Sequence, residues 1–390
     1  MSERLYYTDC YLSSFEAQVL EAGQGGVRVY LDRTAFYPSS GGQPNDLGTL
    51  GGQAVVDVID EGERIAHLVE APVEARSIHG QIDWRRRYDH MQQHTGQHLL
   101  SAVLVELFGY QTLSFHMGGE VSTIELATNE LSAKQMEETE ERANEIVREA
   151  RPVSILFEDA ENAQALRKPS ARTGTLRVIE IAHLDRSACG GTHVRSTAEL
   201  GPIQIRKTEK IRGHVRIEFV CGRRALLRAK QDYALVAELA RESAVPIDRV
   251  AEHVAGLRQR LRDSEKERQN IVLELARREG EALYDATKQS PDGLRRTLLR
   301  TTAIDEGVRT KVQAFTARGR ALALAIGEQA AGVLIAASAD AGINAGAILK
   351  QVLAGAGGRG GGSGTLAQGN MTSPAVEAAL KAALGFDAAS

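Results

Sequence analysis

DHMQQHTGQHLLSAVLVELFG, residues 89–109, reads as one helix. Asp89 is a capping residue, residues 90–108 hold no proline, and Gly109 supplies the stop. EVSTIEL (120–126) follows as a strand. Ser132 then opens a second, acidic helix that runs to about Ala150 and ends before Pro152. From 174 to 222 the chain alternates again, in Leu176–Ile179, Ile203–Ile205 and Val215–Phe219. Helix, strand, helix, strands is the order of an α+β domain.

Upstream, residues 1–87 read as β structure. Val27, Val29 and Leu31 alternate with polar neighbours, and 55–60 and 64–69 are short apolar runs between glycine pairs. Many short strands with close turns indicate a small barrel or sandwich. Downstream, residues 223–290 change to long helices split by Pro246. Leu257, Leu261, Ser264, Arg268, Ile271 and Leu275 form a heptad seam there, which an intramolecular hairpin or a dimerising coiled coil explains. Residues 291–390 read as α/β: a buried strand at 333–337, a helix at 344–353, a glycine loop at 355–364 and a helix opening at Ser373-Pro374.

Composition sets bounds on function. The 390 residues are enough for two to four domains, at roughly 100–200 residues each. With 43% hydrophobic and 25% charged residues, wholesale disorder is excluded. Lysine and arginine number 47 against 51 acids, so a generally basic coat is excluded but a local basic patch is not. Three scattered cysteines make no disulfide framework and favour a reducing compartment. The start MSERLYYTDC carries charge where a signal peptide needs an apolar run, and the apolar stretch from Ala321 to Ala339 is broken by Glu328 and Gln329, so neither a signal peptide nor a membrane span is expected.

Three motifs carry chemistry. His94-Thr-Gly-Gln-His98 sets two imidazoles at i and i+4 on one helix face, a spacing that suits two ligands of one zinc. It lacks the internal glutamate of the metalloprotease motif. Cys189-Gly-Gly-Thr-His193 sets a thiolate and an imidazole four apart; both halves together would give a Cys/His₃ set compatible with tetrahedral zinc, but they are 91 residues apart and spacing alone does not bring them together. Cys10 and Cys221 read as buried hydrophobes. The third motif, Thr34 to Gly48 (TAFYPSSGGQPNDLG), is a turn-rich segment.

FYPSSGGQPNDLG, HTGQH and CGGTH, in this order, resemble the editing half of alanyl-tRNA synthetase without its aminoacylation domain. The chain is similar to the free-standing alanyl-tRNA editing proteins, AlaX type, long form, over nearly its whole length. The resemblance implies a barrel domain at 1–87, a zinc-dependent α+β editing domain at 88–222, a helical hairpin linker at 223–290 and a C-terminal domain at 291–390. That last domain is of the kind that accompanies DHH phosphoesterases. The DHH triplet is absent, since Met91 follows Asp89-His90, and phosphoesterase chemistry is not implied.

The resemblance also implies one Zn²⁺ per chain on His94, His98, Cys189 and His193. The implied activity is hydrolysis of the ester joining serine, or glycine, to alanine tRNA in the cytoplasm. Cys189, Gly190 and Gly191 would then be catalytic, the two glycines offering backbone N–H groups to the ester oxygen. Candidates for reading the amino acid are Thr34, Gly42, Gln43, Ser114 and His116. Candidates for tRNA phosphates are Arg85, Arg86, Arg87, Arg206, Lys207, Lys210 and Arg212, within a basic run that continues through Arg223, Arg224 and Arg228. The competing functions are a non-catalytic tRNA-binding protein with structural zinc, an editor of another tRNA, and a zinc hydrolase of small esters. A homodimer through the helical or C-terminal region is one assembly compatible with the seam, beside the intramolecular hairpin.

Overall fold

The computed structural model describes residues 2–161, 163, 165–169, 173–329, 331–370 and 373–386. The chain divides into two units, Met1–Leu239 and Ala240–Ser390.

The first unit opens with β1 (Glu3–Arg4), β2 (Ser14–Gly23), β3 (Arg28–Leu31), β4 (Arg33–Thr34), β5 (Gly48–Leu50), β6 (Gln53–Asp60), β7 (Ile65–Val69) and β8 (Ser77–Ile82). β2-β3-β7-β6-β5-β8 close into the expected small barrel, while β1 and β4 pair in parallel beside it. Strand alternation turns Val29, Leu31, Val55, Val58, Ile65, Val69 and Ile78 into its core. Closure leaves no open sheet edge.

Helix α1 (Trp84–Phe108) follows. It starts six residues before the helix expected behind an Asp89 cap, because Asp83 is the cap and accepts the Arg86 amide at 3.1 Å. Gly109 closes it in the left-handed conformation, as expected. Two sheets enclose the helix. One is β14 (Ile203–Ile211), β15 (His214–Cys221), β10 (Ser122–Leu126) and β9 (Thr112–Met117), in that order. The other is β11 (Val153–Asp159), β12 (Thr175–Ile181) and β13 (Asp185–Ala188). Both are antiparallel. Acidic helix α2 (Ala133–Arg148) carries the expected Ser132 cap, which forms a capping box with Gln135. Leu99, Leu100, Val103 and Leu104 of α1 meet Ile124, Ile146, Ile179, Ile217 and Phe219 in one core.

Helices α3 (Gly222–Glu242) and α4 (Val250–Ala286) lie on either side of Pro246. On α4 the seam residues Leu257, Leu261, Ile271 and Leu275 are all exposed. The second unit has one sheet, in the order β16 (Arg295–Thr301), β17 (Ala321–Gly327), β18 (Gly332–Ala337), β20 (Leu366–Asn370), β19 (Gly360–Gly362). The long apolar stretch is therefore β17 and β18, the antiparallel central strands. Alternate residues of both strands pack on α5 (Glu306–Thr316) on one face and on α6 (Ala345–Ala354) and α7 (Pro374–Ala383) on the other. Burial on two faces explains why each of these two strands is apolar throughout. The glycine loop expected at 355–364 contains edge strand β19, since Gly360–Gly362 pair with Ala367–Gly369. Among the described residues no helix is long and apolar enough to cross a membrane.

Candidate functional site

The two histidines of α1 meet the cysteine loop that follows β13. The ligand atoms of His94, His98, Cys189 and His193 all lie within 4.8 Å of one another. Cys189 Sγ is 3.5 Å from His94 Nε2 and 3.4 Å from His193 Nε2. Residues 91 apart in sequence thus form the expected Cys/His₃ cluster, and its donors fit a metal ion.

The outer nitrogens of the rings are held as well. His94 Nδ1 donates to Gln43 Oε1 at 2.8 Å, and His98 Nδ1 to Asp185 Oδ2 at 3.0 Å. His193 Nδ1 lies 3.0 Å from Thr95 Oγ1. An Nδ1 so engaged leaves the Nε2 lone pair for a metal, which is the usual arrangement around ligating imidazoles. Burial pushes the Cys189 thiol up, but the His94 and His193 rings outweigh it and hold the group well below its ordinary value. Burial alone would lower His98, yet its bond to Asp185 and the nearby Cys189 sulfur raise it to about 9. Burial dominates at His193 and pushes it down to about 3. A half-buried thiolate facing buried imidazoles is a strong donor set for zinc.

The cysteine loop is shaped by close contacts. A Cβ on Gly191 would lie 2.1 Å from His94 Cε1, so only glycine lets the loop approach that ring. Arg177 donates to Cys189 O at 2.6 Å and to Tyr7 O at 2.9 Å, tying the loop to the N-terminal segment. The Gly191 N–H points at Cys189 Sγ, 3.3 Å away, and is not free for an oxyanion, which corrects the paired role expected for Gly190 and Gly191. The Gly190 N–H has no partner among the described residues.

Three of the four ligands, His94, His98 and Cys189, line a cavity of about 690 Å³. Tyr7, Ser40, Gln97, Thr112, Ser114 and Lys168 supply much of its polar lining. Of the expected amino-acid readers, only Ser114 is there. Thr34 is fully buried in the barrel instead, bonded to His67 Nε2 at 2.8 Å. Gln43 is consumed by His94 and by Thr192, to whose Oγ1 it donates at 2.8 Å. Gly42 is packed on β9, where a Cβ would meet Phe115 O at 2.5 Å. His116 is exposed outside the lining.

The basic residues divide similarly. Arg87 is fully buried and ion-paired to Asp46, with further bonds to Cys10 O at 2.8 Å and Ala35 O at 2.5 Å. It is a structural residue, not a phosphate ligand. Arg85, Arg86 and Arg206 line a second cavity, whereas Lys207, Lys210 and Arg212 are exposed on the β14–β15 hairpin outside it. Trp84 begins α1 and packs against Tyr11 and Tyr88. Sequence reasoning missed Asp185, Thr95 and Arg177. Asp185 stands four residues before Cys189, and Thr95 lies inside the histidine motif, so proximity to ligands was the available signal.

The family model of the threonyl and alanyl tRNA synthetase second additional domain matches residues 176–218. Over 289 residues the chain is 32% identical to the alanyl-tRNA editing protein Aarsd1 of Danio rerio, covering 69% of this chain and 70% of that one. It is 37% identical to AlaX-L of Pyrococcus horikoshii, over 59% of this chain and 61% of that one. It is 30% identical to the alanine–tRNA ligase of Pyrococcus abyssi, over 94% of this chain and 42% of the ligase. The chain belongs to the alanyl-tRNA editing protein family.

Proposed function

We propose that the chain is a trans-editing deacylase, which hydrolyses the ester linking a wrong amino acid to the 3′ end of alanine tRNA. Serine is the expected wrong amino acid and glycine the second. The observation that carries this reading is the Cys/His₃ cluster, three of whose residues line a 690 Å³ cavity, a size that suits a small-molecule ligand such as an aminoacyl nucleoside.

His94, His98, Cys189 and His193 would hold one Zn²⁺, which when bound supplies Lewis acidity to a water or to the ester carbonyl. Gln43, Asp185 and Thr95 orient the three rings. Arg177 fixes the Cys189 carbonyl, and with it the direction of the Gly190 N–H. That N–H is the backbone donor available to the ester oxygen as charge develops on it.

Discrimination runs through the polar wall. Gln97 donates its amide to Ser101 at 2.8 Å, which leaves Oε1 to accept. Thr112 donates to the same Ser101 oxygen at 2.7 Å. With Ser114, these groups form a wall for the serine hydroxyl. Alanine would leave them unpaired and is released uncut, whereas a pocket that merely excludes bulk discriminates such pairs by only about 10²-fold.

The four-donor set itself favours one competing reading, in which the metal is structural and the protein only binds tRNA. Turnover decides between them. Wild-type protein is expected to clear serine from alanine tRNA at least about 10²-fold faster than alanine. Binding of that tRNA without turnover would establish the binding module. The reading places the protein in the cytoplasm with charged tRNA. It assigns the exposed seam of α4 to a second copy of the chain, which Leu261→Glu would dissociate in sedimentation.

A further inference from the structure

A second cavity, of about 960 Å³, opens on the same helix as the histidine cluster. Asp89 and His90 line it, whereas His94, Gln97 and His98 line the first. At 1.5 Å per residue, the step along α1 from Arg86 to His94 is about 12 Å. The two cavities are neighbours on one rigid element.

The wall of the second cavity carries Arg85, Arg86, Arg206, Arg223, Arg224 and Arg228. The first turns of α1 and α3 both open onto it, and each adds the positive end of a helix dipole. Two of the wall's acids are committed: Asp89 to Arg224 at 2.7 Å, and Asp83 to the Arg86 amide as the α1 cap. Arg206 and Arg228 share Asp232. Arg85 and Arg223 have no ion-pair or hydrogen-bond partner among the described residues. His90 is buried beside them, and its Nδ1 likewise has none. A buried imidazole nitrogen left unpaired costs free energy that an incoming polar group recovers.

We propose that this cavity seats phosphates of the single-stranded 3′ end of the tRNA, a few nucleotides back from the ester. The strand then runs beside α1, with its backbone at the arginines and its terminal aminoacyl nucleoside at the cluster. Arginines on a concave wall take phosphates without reading sequence, which suits an end shared by all tRNAs. The inference rests on the first cavity being the deacylation site.

The test crosses a protein change with an RNA change. The double variant Arg85→Gln/Arg223→Gln breaks no internal ion pair, so the fold is preserved. Its affinity for uncharged alanine tRNA is measured against salt, with the RNA full-length and with its single-stranded 3′ end removed. For full-length RNA, an affinity loss of about tenfold is expected. The slope of log affinity against log salt should fall by about 1.4, the value for two contacts to a single strand. Truncated RNA should bind both proteins alike, and Arg85→Lys/Arg223→Lys should recover the slope. Equal losses with both RNAs, or an unchanged slope, overturn the proposal. Wild-type turnover of the seryl ester is scored separately: its absence, with the binding pattern intact, sinks the deacylase reading and leaves the phosphate seat standing.

Discussion

Gln43 accepts a hydrogen bond from His94 Nδ1 at 2.8 Å, joining the glycine-rich segment of the barrel domain to the first histidine of the metal cluster. The same side chain accepts the Thr192 amide at 3.2 Å, next to His193. One buried amide therefore sets the direction of a ring and of the loop opposite it. Removing such an outer partner typically costs about 10–100-fold in metal affinity. Gln43→Ala is expected to show that loss in chelator competition while keeping all four ligands. Unchanged affinity would mean the ring is oriented by packing alone.

The two glycines of the cysteine loop should behave differently. Gly191→Ala places a Cβ within 2.1 Å of the His94 ring, so zinc per chain should fall well below one. Gly190→Ala meets only the Tyr7 side chain, Oη at 3.6 Å and Cε1 at 3.8 Å, and should keep its zinc. Equal zinc content in both variants contradicts the close approach.

His67 predicts a pH dependence of stability. It is fully buried in the barrel and donates from Nδ1 to Val29 O at 3.1 Å, so Nε2 accepts from Thr34. Burial pushes its pKa from 6.5 down to about 4. Above 6.5 both folded and unfolded chains are neutral there, and the full stability is present. Between 6.5 and about 4 the unfolded chain binds the proton and the folded one does not, so stability falls as pH falls. The loss is about 1.4 kcal/mol per pH unit in that window and levels off below it. Urea unfolding followed by Trp84 fluorescence at pH 7.5, 6 and 5 should show this slope in wild type and a shallower one in His67→Gln. Parallel slopes would remove His67 from the account.

Arg87 should matter for stability rather than for RNA. Its guanidinium is buried against Asp46, and breaking a buried pair by removing one partner costs about 3–5 kcal/mol. Arg87→Gln should lower the thermal midpoint by several degrees, and Arg85→Gln should leave it in place. A stable Arg87→Gln with weakened tRNA binding would restore the phosphate role assigned to it from sequence.

Arg87 also marks where sequence legibility ends. Strand alternation, Ser132 and Gly109 announce the barrel, α2 and the end of α1 because each is a local rule. The ligand quartet is legible because two motifs keep metal spacing. Thr34 and Gln43 were read as substrate contacts since nothing local distinguishes a polar residue facing a cavity from one facing a ring 51 residues away. Asp185 and Arg177 were missed for the same reason: their roles exist only once β12 and β13 bring them to the cluster. Arg85, Arg86 and Arg87 form one basic run, but α1 begins at Trp84, and helical rotation sends the third of them into the interior.

In the proposed function the Cys/His₃ cluster drives hydrolysis of a mischarged alanine tRNA. The most direct measurement is deacylation of serine-charged and alanine-charged alanine tRNA by wild type and by Cys189→Ala, with zinc determined in both. The account predicts rapid loss of serine alone in wild type, abolished together with zinc in the variant. Full activity in a zinc-free Cys189→Ala would contradict it.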